Sequence, residues 1–391
     1  MVRISAIAAI LTLAGCSGAM HSLPPPTAAR GLTMPFQVQP PAAYQSLFSF
    51  TNYDATDPRG GLVDVNNTLY GVASDYFGSN CCGIVFTITT GGAEQTLYTF
   101  QGGSDGTAPW ARLIDVKGVL YGITFGGGPY SGGTAFSITT GGKEKVIHSF
   151  GKGSDGNTPV ASLTDLGGTL YGTTGGGGST KDGTVFKMTT SGSEKVIYTF
   201  KGYPKDGNGP QSRLTYYKGA FYGVTGSGGS SNSGVIFKVT PSGSERVLHV
   251  FAGNDGRAPS GSLLAINGTL YGTAQSGGTS NDGTVFKISA SGSGFKVIHT
   301  FKGKDGATPS NMDLANVNGT MYGVTSGGGS SNNGTIFKIT AAGAESVLYS
   351  FKGGTDGRQP LGALLDVKGV LYGVTALGGS SDDGTVFSIK L

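Results

Sequence analysis

Residues 169–172 read Thr-Leu-Tyr-Gly, and residues 183–186 read Gly-Thr-Val-Phe about a dozen positions later. The Tyr-Gly pair recurs along the chain at steps of 51, 50, 51, 49, 51 and 50 residues. Its tyrosines are Tyr70, Tyr121, Tyr171, Tyr222, Tyr271, Tyr322 and Tyr372. The phenylalanine of the second block also occurs seven times, at 86, 136, 186, 237, 286, 337 and 387. This period predicts a repeat protein whose units bury their apolar faces against one another.

Each unit contains four short apolar or β-branched segments, separated by Gly, Asn, Asp and Ser, which is typical of strands joined by tight turns. We term them strands a (as in 364–367), b (370–375), c (335–340) and d (346–351). Asn-Gly at 267–268 favours a tight hairpin between strands a and b. Seven such units predict an all-β fold, a seven-bladed β-propeller of four-stranded blades, with a linear β-solenoid as the alternative.

The two ends of the repeat region favour the propeller. Residues 47–50 read Leu-Phe-Ser-Phe and match strand d at residues 348–351, although they precede the first strand a. The last unit ends at Leu391 after strand c and lacks a strand d. We therefore expect the N-terminal strand to complete the seventh blade and close a propeller domain over residues 44–391, which removes the exposed sheet edges.

The composition excludes several classes of protein. Glycine accounts for 72 of 391 residues, yet aromatic residues make up 10% and the glycines do not recur at every third position. Collagen and disordered chains are thereby excluded. The net charge of +4 is spread thinly, so we expect no nucleic-acid partner.

The first sixteen residues have the pattern of an export signal. Met1-Val2-Arg3 is followed by an apolar run that ends in Leu13-Ala14-Gly15-Cys16, which resembles a bacterial lipoprotein lipobox. This resemblance implies lipidation of Cys16, and Ser17 implies sorting to the outer membrane; an ordinary secretory signal is the alternative. Residues 17–43 hold six prolines and are interpreted as a tether.

The repeated blocks together resemble the Gloeobacter–Verrucomicrobia tandem repeat, also called the GloVer repeat. The resemblance covers residues 45–391 and rests on the Leu-Tyr-Gly, Gly-Thr-Val-Phe and Leu-Tyr-Ser-Phe blocks. It implies an exported bacterial protein with a surface anchor, and it implies no activity or catalytic residue. Blade 1 departs from the pattern, with Asp54-Ala55-Thr56-Asp57-Pro58 in place of Asp-Gly-x-x-Pro.

Aromatic residues are distributed unevenly over the loops. Trp110 is the only tryptophan, and it ends the loop between the first two blades. On the propeller model it shares one face with aromatic residues of the b–c loops of these blades, which are Tyr76, Phe77, Phe125 and Tyr130. With Arg112 as a polar companion, this group is a candidate binding site for a sugar, a peptide or a protein partner. The alternative is that these rings only fill space between longer loops.

Other candidate sites carry a simpler interpretation. Cys81 and Cys82 are adjacent in an exported chain, so they are candidates for a vicinal disulfide or for pairing with another chain. The Asp-Gly-x-x-Pro loops favour turn formation over calcium binding. His148, His249 and His299 occupy a strand d position that is aromatic in other units, so packing is the expected role. No metal or cofactor is expected.

Strand a carries an acid at one repeat position, in Asp64, Asp115, Asp165 and Asp366. Paired carboxylates in a channel are suited to glycoside hydrolysis, whereas a single recurring acid is suited to bonding with backbone or water. We therefore predict a monomeric, lipid-anchored, non-catalytic propeller that binds glycan or protein at the cell surface. A propeller enzyme using these acids and a scaffold without a specific ligand are the alternatives.

Overall fold

The computed structural model of the protein describes residues 43–51, 56–74, 82–309 and 313–391. Within these ranges the regular structure is almost entirely β-strand, with two short 3₁₀ turns. No helix in this part of the chain has the length and apolar character needed to span a lipid bilayer. This composition of elements agrees with the all-β prediction.

The elements follow one another in chain order with short connections. The two 3₁₀ turns are Gly103–Asp105 and Gly354–Asp356. The strands are β1 (Tyr44–Ser49), β2 (Val63–Val65), β3 (Thr68–Ala73), β4 (Ile84–Thr89), β5 (Glu94–Thr99), β6 (Ile114–Val116), β7 (Val119–Thr124), β8 (Thr134–Thr139), β9 (Glu144–Ser149), β10 (Gly156–Asn157), β11 (Thr164–Leu166), β12 (Thr169–Thr174), β13 (Gly176–Gly177), β14 (Thr184–Thr189), β15 (Glu194–Thr199), β16 (Gly207–Pro210), β17 (Thr215–Tyr217), β18 (Ala220–Gly228), β19 (Val235–Val239), β20 (Glu245–Val250), β21 (Arg257–Pro259), β22 (Leu264–Ile266), β23 (Thr269–Ser276), β24 (Thr284–Ser289), β25 (Lys296–Thr300), β26 (Ala315–Val317), β27 (Thr320–Thr325), β28 (Thr335–Ile339), β29 (Glu345–Ser350), β30 (Arg358–Val367), β31 (Val370–Leu377) and β32 (Thr385–Lys390).

These strands form the seven antiparallel blades of one propeller, which confirms the predicted fold. Blade 1 contains β2–β5, blade 2 β6–β9, blade 3 β11, β12, β14 and β15, blade 4 β16–β20, blade 5 β21–β25, blade 6 β26–β29, and blade 7 β30–β32 with β1. Blades 1 to 6 run from strand a to strand d in sequence order, whereas in blade 7 strand d is β1. The a strands of neighbouring blades contact one another, as β2 does with β6 and β30, so they surround the propeller axis.

The N-terminal strand closes the ring as predicted. Strand β1 pairs antiparallel with β32, with Tyr44 opposite Ile389 and Ser49 opposite Thr385. The pairing has a bulge between Ser46 and Phe48, at the place where the other blades have a bulge between strands c and d. Strand β1 therefore supplies the strand d that the last repeat lacks.

The recurring Gly and Phe of the two sequence blocks are a cross-strand pair. Gly172 in strand b lies opposite Phe186 in strand c. A Cβ atom on Gly172 would lie 2.9 Å from Phe186 Cε1 and 3.0 Å from Leu163 Cδ2, which is closer than carbon atoms pack. The phenylalanine ring fills the space that glycine leaves, and both residues therefore recur together.

Neighbouring blades pack against each other through apolar side chains. Tyr171 of blade 3 packs on Phe221 of blade 4, with the ring centres 4.2 Å apart. Loops also connect neighbouring repeats: Gly183, at φ +96°, leaves space for Pro210 of the next d–a loop, whose Cδ would be 2.6 Å from an added Cβ. The d–a and b–c loops consequently meet on one face of the propeller.

Candidate ligand-binding site

The seven d–a loops converge on a cavity of about 200 Å³ at the propeller axis. Each loop turns at its proline and then leads into the buried leucine that precedes or begins strand a, such as Leu113. The residues between proline and leucine consequently point towards the axis. Six of the repeats contribute the following side chains to the lining: Arg59, Trp110, Arg112, Ser162, Gln211, Arg213, Asp313 and Leu361.

Two stacked aromatic rings form one wall of this cavity. The ring of Trp110 lies 4.3 Å from that of Phe125, with an angle of 25° between the ring planes. The guanidinium carbon of Arg59 lies 5.2 Å from the centre of the Trp110 ring. Arg59 also pairs with Asp57, with 2.6 Å between Nε and Oδ2. Trp110 is therefore held between a second ring and a cation, and it remains partly exposed.

Three charged side chains lie on the remaining wall, and one of them has no ion-pair partner. Arg213 Nε lies 3.4 Å from Asp313 Oδ2, and Asp313 Oδ1 accepts a hydrogen bond of 3.0 Å from Ser262 N. Among the residues that the structure describes, no carboxylate lies within ion-pair distance of Arg112. Burial and the charge of Arg213 lower the pKa of Arg112, which Asp313 partly opposes. The guanidinium nevertheless stays protonated at neutral pH, so the cavity holds one uncompensated positive charge.

The structure brings three of the predicted site residues together, namely Trp110, Phe125 and Arg112. Tyr130, 47% exposed, lies away from this cavity and lines a separate open pocket beside His148, with Lys152 Nζ 5.8 Å from its ring centre. The predicted residues outside the described ranges are Cys16, Tyr76, Phe77 and Cys81. Cys82 is buried, and the vicinal disulfide stays a prediction.

Three residues of the site were not predicted from the sequence, namely Arg59, Arg213 and Asp313, which belong to blades 1, 4 and 6. A usable signal was present for two of them. Arg213 and Asp313 occupy the position directly before the recurrent leucine, where Arg112 also lies. In the other repeats this position is Gly, Ser or Ala. A charged residue at an otherwise small, axis-facing position indicates a site rather than packing.

Comparison of the sequence with known families agrees with the repeat pattern. The sequence profile of the Gloeobacter/Verrucomicrobia repeat matches residues 13–234 and 216–391. The chain belongs to this repeat family. No curated protein is similar in sequence to this Gloeobacter/Verrucomicrobia repeat protein.

Several solved structures resemble the repeat protein at low sequence identity. A puromycin-hydrolyzing peptidase of Mycobacterium tuberculosis is 10% identical with a TM-score of 0.53, over 86% of this chain and 52% of the peptidase. An oligogalacturonate lyase in complex with manganese is 10% identical with a TM-score of 0.52, over 90% of this chain and 97% of the lyase. A gluconolactonase of Xanthomonas campestris is 12% identical with a TM-score of 0.46, over 90% of each chain. The repeat protein thus spans about half the length of the peptidase, and the likeness concerns the fold.

Three of the four acids of strand a form turns at the end of the strand opposite the cavity. Their Oδ1 atoms accept a backbone N–H three residues on: Asp115 from Gly118 at 2.9 Å, Asp165 from Gly168 at 2.8 Å and Asp366 from Gly369 at 3.0 Å. Asn316 accepts from Gly319 in the same way at 3.1 Å. These side chains cap the a–b hairpins, which accounts for their recurrence in the repeat. The Oδ1 atom of the fourth acid, Asp64, is buried and accepts no hydrogen bond from the described residues.

The Asp-Gly-x-x-Pro loops of the repeat protein are also built by their aspartates. Asp206 accepts 2.8 Å and 2.7 Å hydrogen bonds from the N–H groups of Lys201 and Gly207. It also accepts a 2.7 Å bond from the Tyr198 hydroxyl in strand d. Histidine replaces this tyrosine in three blades, and the pairs are His148–Asp155, His249–Asp255 and His299–Asp305. The histidines therefore pack as rings, as predicted, and in addition hold the loop through Nε2.

Proposed function

We propose that this repeat protein is a non-catalytic recognition module that binds an anionic glycan in the axial cavity. The observation that supports this proposal is the stacked pair Trp110–Phe125 in the same cavity as Arg112, which has no carboxylate of the described chain within ion-pair distance. An aromatic face covers the apolar side of a sugar ring. A guanidinium pairs with a carboxylate through two parallel hydrogen bonds.

The size of the cavity favours a small recognition unit. At about 200 Å³ it is smaller than the ~300–1,000 Å³ typical of pockets for drug-sized ligands. A single acidic sugar, such as a uronic acid at the end of a chain, suits this space. Hydroxyl and amide groups from Ser162, Ser262 and Gln211 line the same cavity and are suited to sugar hydroxyls.

The proposed location of this module is the outer surface of a bacterial cell envelope. The export pattern of residues 1–16, which ends at Cys16, supports a lipid anchor, and the proline-rich residues 17–43 support a spacer. A Cys16→Ala variant is expected to lose incorporation of a fatty-acid label and to leave the membrane fraction. Unchanged labelling would contradict the anchor without affecting the binding proposal.

The binding proposal is tested with the purified full chain on acidic oligosaccharides and on their neutral, carboxyl-reduced counterparts. Arg112→Gln is expected to weaken binding of the acidic series about 10- to 100-fold, because a hydrogen bond to a charged group contributes roughly 1.5–3 kcal/mol. Trp110→Ala is expected to weaken binding of both series about 10-fold. The control is Arg246→Gln, which removes an exposed arginine of β20 outside the cavity and should change neither affinity.

The alternatives predict different outcomes of this experiment. Equal affinity for acidic and neutral ligands, unaffected by Arg112→Gln, would overturn the anionic-glycan proposal. Binding of a protein that depends on Trp110 would favour a protein ligand over a glycan. Absence of binding to any ligand class would favour the scaffold, and turnover of a bound glycan would favour the enzyme.

A further inference from the structure

A polar cluster recurs at the outer boundary between successive blades, which we term a seam. Each seam combines a strand d side chain of one blade, the aspartate of the following d–a loop and the first residue of strand d in the next blade. At seam 2/3 these are His148, Asp155 and Glu194. At seam 5/6 they are His299, Asp305 and Glu345.

The three side chains of these two seams converge on one point. In each, one ligand atom from every member lies within 4.8 Å of the other two. His148 Nε2 lies 3.0 Å from Asp155 Oδ2, and His299 Nε2 lies 3.1 Å from Asp305 Oδ2. Two ligands bound to one Zn²⁺ are separated by about 2.9 Å at a right angle and about 3.4 Å at the tetrahedral angle. The histidine and aspartate therefore need little movement to share a metal ion.

The glutamate distinguishes these seams from a simple histidine–aspartate hydrogen bond. Within the described chain, no group donates a hydrogen bond to Glu194 or Glu345, and the Oε1 atom of each is buried. At seam 3/4 the Tyr198 hydroxyl lies 2.7 Å from Asp206 Oδ2 and 3.1 Å from Glu245 Oε2, while Glu245 Oε1 is also buried without a hydrogen bond from the described residues. Where histidine replaces tyrosine, this bridging hydroxyl is missing.

The aspartate and the glutamate of each seam are partly buried carboxylates side by side, an arrangement that favours binding of a cation. At seam 2/3 the nearby Lys152 has its Nζ over the ring of Tyr130, 5.8 Å from the ring centre. A divalent cation would bind both carboxylates, which at seam 3/4 lie beside the Tyr198 hydroxyl instead.

We propose that seams 2/3 and 5/6 each bind one divalent transition-metal ion, with Zn²⁺ the best fit, through His148, Asp155 and Glu194 and through His299, Asp305 and Glu345. One imidazole and two carboxylates are a ligand set for Zn²⁺, and imidazole disfavours Ca²⁺ and Mg²⁺. Water completes the coordination, since seam 2/3 lines the open pocket beside Tyr130. The metal replaces the proton between histidine and aspartate and fixes two adjacent blades to each other.

Seam 4/5 provides a natural comparison that lacks the third ligand. His249 and Asp255 form the same pair at 2.8 Å, but Phe295 occupies the position of the glutamate. The Phe295 ring stacks on His249 with the ring centres 3.6 Å apart. This seam replaces the metal ligand by ring packing, and we expect no metal there.

The test is Zn²⁺ stoichiometry by equilibrium dialysis and elemental analysis, with the full chain first freed of metal. The wild type is expected to bind two more Zn²⁺ ions than the double variant Glu194→Gln/Glu345→Gln. The matched control Glu245→Gln, at the tyrosine seam, should bind as many ions as the wild type. His148→Tyr and His299→Tyr install the residue that blades 1 and 3 carry at this position, and each is expected to remove one ion without a loss of folding.

The outcomes decide the proposal seam by seam. Equal Zn²⁺ content in the wild type and the double variant would overturn it. A loss of the ion in only one of the two His→Tyr variants would overturn the site at the other seam. Co²⁺ substitution gives an independent measurement, because visible d–d bands of a four- or five-coordinate ion are expected in the wild type and should disappear in the double variant.

Discussion

At the scale of single residues, the repeat contains a glycine in strand b and a phenylalanine in strand c whose ring fills the space beside that glycine. Gly172 and Phe186 are partners across strands b and c, and the ring occupies the position of a missing Cβ. Gly223 with Phe237 and Gly373 with Phe387 repeat the arrangement. Interior glycine weakens a strand, so its recurrence here reflects packing against the ring.

We expect Gly172→Ala to lower the free energy of unfolding by about 1–3 kcal/mol, because the new methyl group overlaps the Phe186 ring and must displace it. The measurement is denaturant unfolding of the full chain. The control is Gly91→Ala in the exposed c–d turn of blade 1, where an added Cβ meets only Thr89 Oγ1 at 3.8 Å. Its effect should be within about 0.5 kcal/mol. Equal effects of the two variants would contradict this account.

At the scale of elements, the seams couple neighbouring blades through titratable groups. Burial, and then the charge of Asp206, raises the pKa of Glu245 from 4.5 to about 7, while the Tyr198 hydroxyl and Lys201 lower it. Because the folded protein favours the protonated form, the stabilising contribution of Glu245 is complete below its unfolded pKa. It is lost as the pH rises through about 7.

The variant Glu245→Gln removes this dependence on pH. The quantity to measure is the melting temperature of the variant minus that of the wild type. This difference should be about 1–2 °C larger at pH 8 than at pH 5. It is small because solvent screens the charge at a half-buried site. The control is Asp382→Asn, whose carboxyl pKa is lowered by Arg358 and which therefore stays ionised across this pH range. It should shift the melting temperature equally at both pH values. A constant difference for Glu245→Gln would show that Glu245 does not titrate in this range.

At the scale of the whole molecule, ring closure depends on one strand from the far end of the chain. Tyr44 stacks on Tyr349 of blade 6, with ring centres 4.1 Å apart, and its hydroxyl donates a 2.6 Å hydrogen bond to the Asp356 carbonyl. Strand β1 thus connects blades 6 and 7 and covers the edge of β32. Without it that edge is open to pairing with another chain.

A chain that begins at residue 51 is expected to lose the closing strand, to melt more than about 10 °C below the full chain and to associate into oligomers. Light scattering after size-exclusion chromatography and thermal unfolding measure the two effects. A chain that begins at residue 41 keeps every residue of β1 and is the control. A monomer with unchanged melting temperature after removal of β1 would contradict closure by this strand.

Much of the molecule was predictable at the scale of the repeat, and less at the scale of the site. Trp110, Phe125 and Arg112 were found because they depart from sister repeats, and the cavity brings these three together. The predicted packing role of the histidines was incomplete, since each also binds an aspartate six or seven residues on. Tyr130 belongs to a different pocket because the b–c loop directs it outward.

By itself, the sequence determined the all-β fold, the seven units and the closing strand, because each unit carries its own strand pattern, turns and Gly–Phe pair within about 50 residues. Only the tertiary structure decided which units meet. Arg112, Arg213 and Asp313 are 101 and 100 residues apart along the chain, and Glu194 belongs to the repeat after His148. Closure of the ring brings one loop position of every repeat to the axis, and packing of neighbouring blades brings the seam residues together. The sequence pattern of a single repeat therefore does not show which residues of different repeats lie close together.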